Sequence, residues 1–139
     1  MQKSIPKAEI LVVDDDQDYR VLIRHQLEAL GYQVLESADG YSAFAILGQQ
    51  YIPLIILDIV MPHIEGLEII RRLRRKACPS KILAVSGAGK ADEYLKIAGL
   101  LGADKTFEKT GPVSDLLAAV QGLIGRANAP HGEMPAWSE

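Results

Sequence analysis

Short apolar runs alternate with helically spaced apolar residues along most of the chain. The runs that predict β-strands are Glu9–Val13, Tyr32–Glu36, Leu54–Leu57, Lys81–Val85 and the short Lys105–Phe107. Leu54–Leu57 is apolar at every position, which is typical of a strand covered on both faces of a sheet. The other strands are flanked by polar residues and glycines, so each is expected to be short.

Between these strands the apolar residues recur with the period of an α-helix. The first stripe runs over Tyr19–Leu30, with Asp16 or Asp18 available as a cap and Gly31 placed to end the helix. The other predicted helices are Tyr41–Leu47, Leu67–Ala77, Asp92–Leu101 and Val113–Ile124. Strand followed by helix, five times over, predicts an α/β fold with a mostly parallel sheet and helices on both faces.

Composition narrows the class of protein without fixing its chemistry. The 139 residues suit one domain, predicted to span residues 8–126, and the aperiodic segment 127–139 is expected to be a flexible tail. A net charge of −3 argues against direct nucleic-acid binding. The single cysteine, Cys78, fits a reducing compartment. No apolar run has the length of a membrane span or a signal peptide, so the cytoplasm is the expected location.

Reactive side chains follow four of the five predicted strands. Asp14 and Asp15 come after the first strand, Asp58 after the third, Ser86 after the fourth, and Lys109 lies just past the fifth. The carboxyl ends of parallel strands meet at one edge of a sheet, which is where such folds bind ligands. Three carboxylates gathered there repel one another unless a hard cation such as Mg²⁺ lies among them.

These residues, in their order and spacing, resemble the receiver domain of the response regulators of two-component signalling. The matching motifs lie within Glu9–Arg126 and are LVVDDD at 11–16, LDIVMP at 57–62 followed by Gly66, AVSG at 84–87, GAD at 102–104, and Lys109. The resemblance implies a flavodoxin-like (βα)5 fold, doubly wound, with a five-stranded parallel sheet in the order 2-1-3-4-5.

The resemblance also implies a role for each candidate site residue. Asp58 would accept a phosphoryl group from the phosphohistidine of a histidine kinase or a histidine phosphotransfer protein. The implied Mg²⁺ ligands are Asp14 (through a water), Asp15, Asp58 and the backbone carbonyl of Val60. Ser86 would donate its hydroxyl to a phosphoryl oxygen, and Lys109 would pair first with Asp58 and then with the phosphoryl group. Such a domain signals to a downstream protein, as a monomer or weak homodimer, rather than turning over a substrate.

Two positions depart from the pattern of the family. Thr110 follows Lys109, where the family usually has a proline after a cis peptide bond; a cis bond before a residue other than proline costs about 2.5–4 kcal/mol, so both isomers stay open. Thr106 stands where the family usually has the aromatic ring that swings inward on activation. The neighbouring Phe107 points to the opposite face of its strand and is expected in the core, so we expect activation without that ring movement.

Three alternatives remain at this point. A degenerate receiver would bind partners without being phosphorylated, and the chain could also be the receiver fragment of a larger regulator. A phosphatase of the haloacid dehalogenase type would use Asp14 and Asp16 as its Asp-x-Asp pair, but such enzymes usually have Thr or Val where this chain has Asp18, and the chain is short for a cap domain. The basic run 71–76 is expected to be a solvated helix face, with a docking surface as the alternative. In domains of the family that this chain resembles, the fourth helix, fifth strand and fifth helix usually form the output face, which contacts downstream proteins. The exposed residues expected on this face are Tyr94, Lys96 and Lys105.

Overall fold

The described residues form five parallel strands with a helix after each. The structure is a computed structural model, and it describes residues 7–61, 66–87 and 91–127. The strands are β1 Ile10–Val13, β2 Val34–Ser37, β3 Leu54–Asp58, β4 Lys81–Ser86 and β5 Lys105–Glu108. The helices are α1 Gln17–Ala29, α2 Gly40–Leu47, α3 Gly66–Arg75, α4 Ala91–Leu101 and α5 Val113–Ile124. The sheet order is β2-β1-β3-β4-β5, which confirms the predicted flavodoxin-like fold.

Helices cover both faces of the sheet, as predicted. Successive side chains of a strand point to opposite faces, so Leu11 and Val13 of β1 enter one core while Ile10 and Val12 enter the other. The first core includes apolar residues of α2, α3 and α4, and the second includes those of α1 and α5. Because every residue of β1 and β3 is buried, these two strands form the centre of the domain.

Both ends of α1 follow from local residue chemistry. Asp16 caps α1, since its Oδ1 accepts hydrogen bonds from the backbone N–H of Asp18 at 3.1 Å and of Tyr19 at 3.3 Å. Gly31 follows the end of α1 with a φ of 98°, a conformation that favours glycine. The N–H of Tyr32 donates to Leu27 O, so Tyr32 belongs to this turn and β2 begins later than predicted.

Arg74 ties together the edge of the sheet opposite the reactive residues. Its guanidinium donates to the carbonyl oxygens of Gly102, Cys78 and Ser80 and to Asp104 Oδ2, at 2.8–3.0 Å. The same Asp104 oxygen accepts from the N–H of Ile82 at 2.8 Å. This single side chain therefore links the end of α3, the start of β4 and the α4–β5 turn. One arginine of the basic run 71–76 is thus structural, while Arg71, Arg72 and Arg75 are exposed.

Some expectations concern positions that the structure does not describe. Most of the expected tail, residues 128–139, lies outside the described residues. Among the helices that are described, none is long and apolar enough to span a membrane.

Candidate functional site

The reactive side chains predicted from the sequence meet at the carboxyl edge of the sheet. Asp14 directly follows β1, Asp58 is the last residue of β3, and Ser86 is the last residue of β4. The carboxylates of Asp14, Asp15 and Asp58 each offer an oxygen within 4.8 Å of the others. Lys109 enters the same edge from the turn after β5. The parallel topology therefore brings together residues that lie up to 95 positions apart in the chain.

Burial differs sharply among the three carboxylates. Asp14 and Asp58 are only 2% and 5% exposed, whereas Asp15 is exposed to solvent. Asp14 Oδ1 accepts the N–H of Asp16 at 2.9 Å, and Asp58 Oδ1 accepts the N–H of Val60 at 3.0 Å. Each buried carboxylate thus has one oxygen held by its own loop and its second oxygen, Oδ2, turned to Lys109.

Lys109 forms ion pairs with both buried carboxylates. Its Nζ lies 2.8 Å from Asp14 Oδ2 and 3.4 Å from Asp58 Oδ2. Its backbone N–H donates to Ser86 O at 3.0 Å, which ties the turn after β5 to the end of β4. No peptide bond among the described residues is cis, so the Lys109–Thr110 bond is trans. The expected pairing with Asp58 is therefore reached without a cis bond, and Asp14 is the shorter contact.

The environment shifts the protonation of both partners. Burial raises the pKa of Asp58 to about 6; the N–H of Val60 lowers it, the charge of Asp14 raises it further, and Lys109 lowers it. For Lys109, burial acts to lower the pKa, but the hydrogen bond and charge of Asp14, followed by those of Asp58, outweigh burial and raise it. The lysine therefore stays charged. Because the pKa of Asp58 stays raised beside Lys109, the positive charge of this lysine does not fully offset the burial of the carboxylate.

Two glycines give the site its shape. A Cβ on Gly66 would lie 2.3 Å from Ile59 Cα and 2.4 Å from Asp58 O, so the start of α3 packs directly on the backbone of the β3 end. A Cβ on Gly87 would lie 3.1 Å from Cδ of Lys109. The lysine stem therefore runs close along the backbone after β4, and any side chain at position 87 would press on it.

Sequence reasoning missed two residues of α1 that touch the site. Arg20 Nη1 donates to Asp14 O at 2.7 Å while its Nε binds Glu36 Oε1 at 2.7 Å, so it fixes the loop that carries the acids. The ring of Tyr19 lies over Lys109, with Nζ 4.5 Å from the ring centroid. The only signal in the sequence was their place in the first turns of the helix that follows the acidic triplet. Tyr19 also begins the apolar stripe that predicts α1, which favours a core role for it.

A groove lies between α4 and β5 beside Thr106, the residue that stands where the family usually has an aromatic ring. Its volume is about 390 Å³, and its lining residues are Asp92, Leu95, Lys96, Thr106, Phe107 and Glu108. Thr106 is exposed, whereas Phe107 is partly buried and packs against the core shared with α1 and α5, as expected. A hydrogen bond with Asp92 raises the pKa of Glu108 across this groove. Tyr94, Lys96 and Lys105 are all exposed, as expected, and Lys96 lines the groove.

Comparisons with known proteins agree with this arrangement. Residues 10–121 match the family model described as the response regulator receiver domain. The chain is 33% identical over 129 residues to the alkaline phosphatase synthesis transcriptional regulatory protein PhoP of Bacillus subtilis, covering 91% of this chain and 53% of the relative. It is 34% identical over 126 residues to the response regulator MprA of a Mycobacterium species, covering 90% and 54%. The chain thus spans about half the length of the curated relatives it matches.

Solved structures show the same fold. The signal receiver domain of a response regulator from Bermanella marisrubri superposes with a TM-score of 0.77 at 34% identity, covering 85% of this chain and 99% of that one. The receiver domain of NtrX from Brucella abortus gives a TM-score of 0.78 at 26% identity, covering 83% and 97%. The match of family, fold and strand-end residues shows that this chain belongs to the response regulator receiver domain family of two-component signalling.

Proposed function

We propose that this domain accepts a phosphoryl group on Asp58 from a phosphorylated histidine of a kinase or phosphotransfer protein. The observation that carries the proposal is the meeting of Asp58, Lys109 and two further carboxylates at one edge of the sheet. In the reaction a carboxylate oxygen of Asp58 would form the new O–P bond. The N–P bond of the phosphohistidine would break, with its electron pair remaining on the imidazole.

The acidic cluster supports Mg²⁺ as the cofactor. Receiver domains bind Mg²⁺ at such clusters, and the donor set here fits, since Mg²⁺ prefers carboxylate oxygens. We assign Asp15 and Asp58 as direct ligands with the carbonyl of Val60, and Asp14 as a ligand through water. Bound Mg²⁺ would supply positive charge next to the phosphoryl oxygens. Burial raises the pKa of Asp58 even with Lys109 beside it, so further positive charge at this site would favour the ionised carboxylate.

Ser86 and Lys109 would receive the transferred group. Phosphoryl transfer depends mainly on positioning and on neutralising the equatorial oxygens. The Lys109 ammonium is 3.4 Å from Asp58 Oδ2 and would turn to a phosphoryl oxygen once that carboxylate is esterified. Ser86 is fully buried at the end of β4, next to the backbone of Lys109, and its hydroxyl would donate to another phosphoryl oxygen. Both groups stabilise charge that grows during transfer.

The domain would signal by protein contact and not as a turnover enzyme. Response regulators of this family are partners of histidine kinases, and the exposed residues Tyr94, Lys96 and Lys105 provide a surface for a downstream protein. We place the protein in the cytoplasm, as a monomer or weak homodimer that does not bind nucleic acid through this domain. Because the chain spans about half of its curated relatives, it would also fit as the receiver part of a larger regulator.

Incubation with acetyl phosphate and Mg²⁺, followed by intact-mass measurement, tests the proposal. The wild type should gain the mass of one phosphoryl group, and EDTA should abolish the gain. Asp58→Asn should gain none, whereas the matched control Asp115→Asn, at an exposed aspartate in the first turn of α5, should behave as the wild type. A folded wild type that gains no mass would favour the degenerate receiver, which binds partners without phosphorylation.

A further inference from the structure

We propose that Tyr19 is a positioning residue for phosphoryl transfer, and that the face of its ring holds the ammonium of Lys109 in the site. This inference rests on the proposed function of Asp58 as phosphoacceptor. It assigns a task to a residue of α1 that is neither the proposed phosphoacceptor nor one of the proposed Mg²⁺ ligands. The task falls to the ring face and not to the phenol hydroxyl.

The contact is built by the local fold of α1. The carboxylate of Asp16 accepts the N–H of Tyr19 at 3.3 Å, which fixes the backbone of Tyr19 in the first turn of the helix. From there the ring covers Lys109, whose Nζ lies 4.5 Å from the ring centroid. The ammonium is thus held by three neighbours, the ring of Tyr19 and the Oδ2 atoms of Asp14 and Asp58.

The face of the Tyr19 ring attracts the ammonium of Lys109 both before and after Asp58 is esterified. A lysine ammonium within about 6 Å of an aromatic centroid is attracted by the negative face of the ring, more strongly where water is excluded. The side chain of Lys109 is only 17% exposed, so the contact is largely shielded from solvent. When Asp58 is esterified, the ammonium must turn from two carboxylates toward the phosphoryl oxygens. The ring face is unchanged by that step and would keep the ammonium pointing into the site.

The lysine stem is guided from its other side. A Cβ on Gly87 would lie 3.1 Å from Cδ and 3.3 Å from Cβ of Lys109, so the stem occupies the space that a side chain at position 87 would fill. Lysine otherwise has a flexible four-carbon side chain with several accessible rotamers. Between Gly87 and Tyr19 the stem has little room to turn out of the site, so the ring restricts the ammonium to positions near the acceptor.

The hydroxyl of Tyr19 takes no part in this role. It is buried and has no hydrogen-bond partner among the described residues. Burial, with the charges of Asp14 and Asp58, raises the pKa of Tyr19 to about 12, so the phenol stays neutral and the ring keeps its ordinary electron-rich face. Phenylalanine at position 19 would keep that face and lose only an unpaired hydroxyl. Leucine or methionine would keep apolar bulk and lose the face.

The experiment compares wild type with Tyr19→Phe, Tyr19→Leu and Tyr19→Met, using the last as a second variant without a ring. The first readout is the proton NMR shift of the Lys109 CεH₂ group, which a stacked ring moves upfield whether or not the domain is phosphorylated. The upfield shift should persist in Tyr19→Phe and disappear in the leucine and methionine variants. The second readout is the phosphorylation time course with acetyl phosphate at several Mg²⁺ concentrations.

The kinetic result should separate positioning from binding. We expect the maximal phosphorylation rate constant to fall about three- to tenfold in Tyr19→Leu and Tyr19→Met, the range expected for a shielded contact of this type. The acetyl phosphate concentration at half-maximal rate and the Mg²⁺ affinity should stay within about twofold of wild type, because the proposed role of the ring is confined to the ammonium of Lys109. Tyr19→Phe should match wild type in all three quantities.

Several results would contradict the inference. A leucine variant that has lost the upfield shift but is phosphorylated at the wild-type rate shows that the ring does not position Lys109 for the reaction. A Tyr19→Phe variant as slow as Tyr19→Leu would transfer the role to the hydroxyl. A folded wild type that is never phosphorylated would defeat the proposed function and this inference together, whereas normal phosphorylation of wild type and leucine variant alike defeats this inference alone.

Discussion

Lys109 lies closer to Asp14 than to Asp58, with Nζ 2.8 Å from Asp14 Oδ2. The same ammonium lies 3.4 Å from Asp58 Oδ2, so one lysine pairs with two carboxylates that are almost fully buried. A buried charge that loses its partner is strongly destabilising. The resting domain therefore depends on this lysine for stability as well as for the reaction proposed at Asp58.

Replacing the charge of Lys109 should destabilise the metal-free domain. Lys109→Met keeps most of the stem but leaves both acids unpaired, and we expect the free energy of unfolding at pH 7.5 to fall by about 2–3 kcal/mol. Urea denaturation in EDTA measures this. The control is Lys105→Met, which removes an exposed lysine of β5 and should cost less than about 0.5 kcal/mol. Equal losses for the two variants would show that the site lysine has no special structural role.

Removing the charge of Asp58 should have the opposite effect. The pKa of Asp58 is raised to about 6 in the folded domain, chiefly by burial, and returns to its ordinary value of 3.8 on unfolding. The stability tied to protonated Asp58 is therefore fully present below about pH 4 and is lost as the pH rises through about 6. At pH 7.5 without metal, Asp58→Asn should be more stable than wild type by roughly 1–3 kcal/mol.

The pH dependence makes this expectation specific. Between about pH 6 and pH 4 the advantage of Asp58→Asn should shrink, because wild-type Asp58 takes up its proton there and the amide cannot. Urea denaturation of both proteins in EDTA across this range provides the measurement. A stability difference that stays constant with pH would show that Asp58 ionises normally in the folded domain.

Arg74 should contribute more to the stability of the domain than the exposed arginines beside it in the basic run 71–76. Its guanidinium donates to three backbone carbonyls and to Asp104. Arg74→Ala leaves these acceptors without their donor, and we expect a loss of about 2–3 kcal/mol in the free energy of unfolding. Arg75→Ala, one position along the same helix and exposed, should cost less than about 0.5 kcal/mol. Parallel thermal and urea denaturation decides whether Arg74 is structural or merely another solvated charge.

The architecture and the convergence of the candidate site residues were predictable, because both depend on strong local patterns. The alternation of apolar runs and helical stripes defines the elements, and the acids lie at strand ends whose convergence follows from parallel topology. The contacts of Tyr19 and Arg74 were not predictable in the same way. Tyr19 shares the helical stripe of the core, and Arg74 is one of four arginines in five positions. Only the packing of distant segments decides which of these side chains faces Lys109 or the carbonyls around Cys78.

Gly66 should be irreplaceable because it packs on the backbone of Asp58 and Ile59 at the end of β3. A Cβ there would lie 2.4 Å from Asp58 O, and backbone cannot move aside as a flexible side chain can. We expect Gly66→Ala to reduce the free energy of unfolding by about 2–4 kcal/mol. Gly99→Ala is the control, since no other part of the described structure lies within 4 Å of that Cβ, and it should stabilise α4 by about 0.5–1 kcal/mol. Two alanine variants of the same sign and size would contradict this account.

Activation should proceed without an inward swing of Phe107. Its ring packs into the core on the α1 and α5 side of β5, while Thr106 faces the groove beside α4. To swing inward, the ring would have to leave that core and cross to the opposite face of the strand, which would expose apolar surface. The groove of about 390 Å³ should therefore keep the small side chain of Thr106 after activation.

Fluorine NMR can follow the environment of the Phe107 ring on activation, because the chain has only two phenylalanines, Phe44 and Phe107. Labelling with 4-fluorophenylalanine gives one resonance for each, and Phe44 of α2 serves as the internal control. On adding beryllofluoride and Mg²⁺, the Phe107 resonance should shift no more than that of Phe44, while amide resonances of Ser86 and Thr106 change. A large displacement of the Phe107 resonance, matched by a ring found in the α4–β5 groove in the activated structure, would mean that Phe107 takes over the task of the missing aromatic residue.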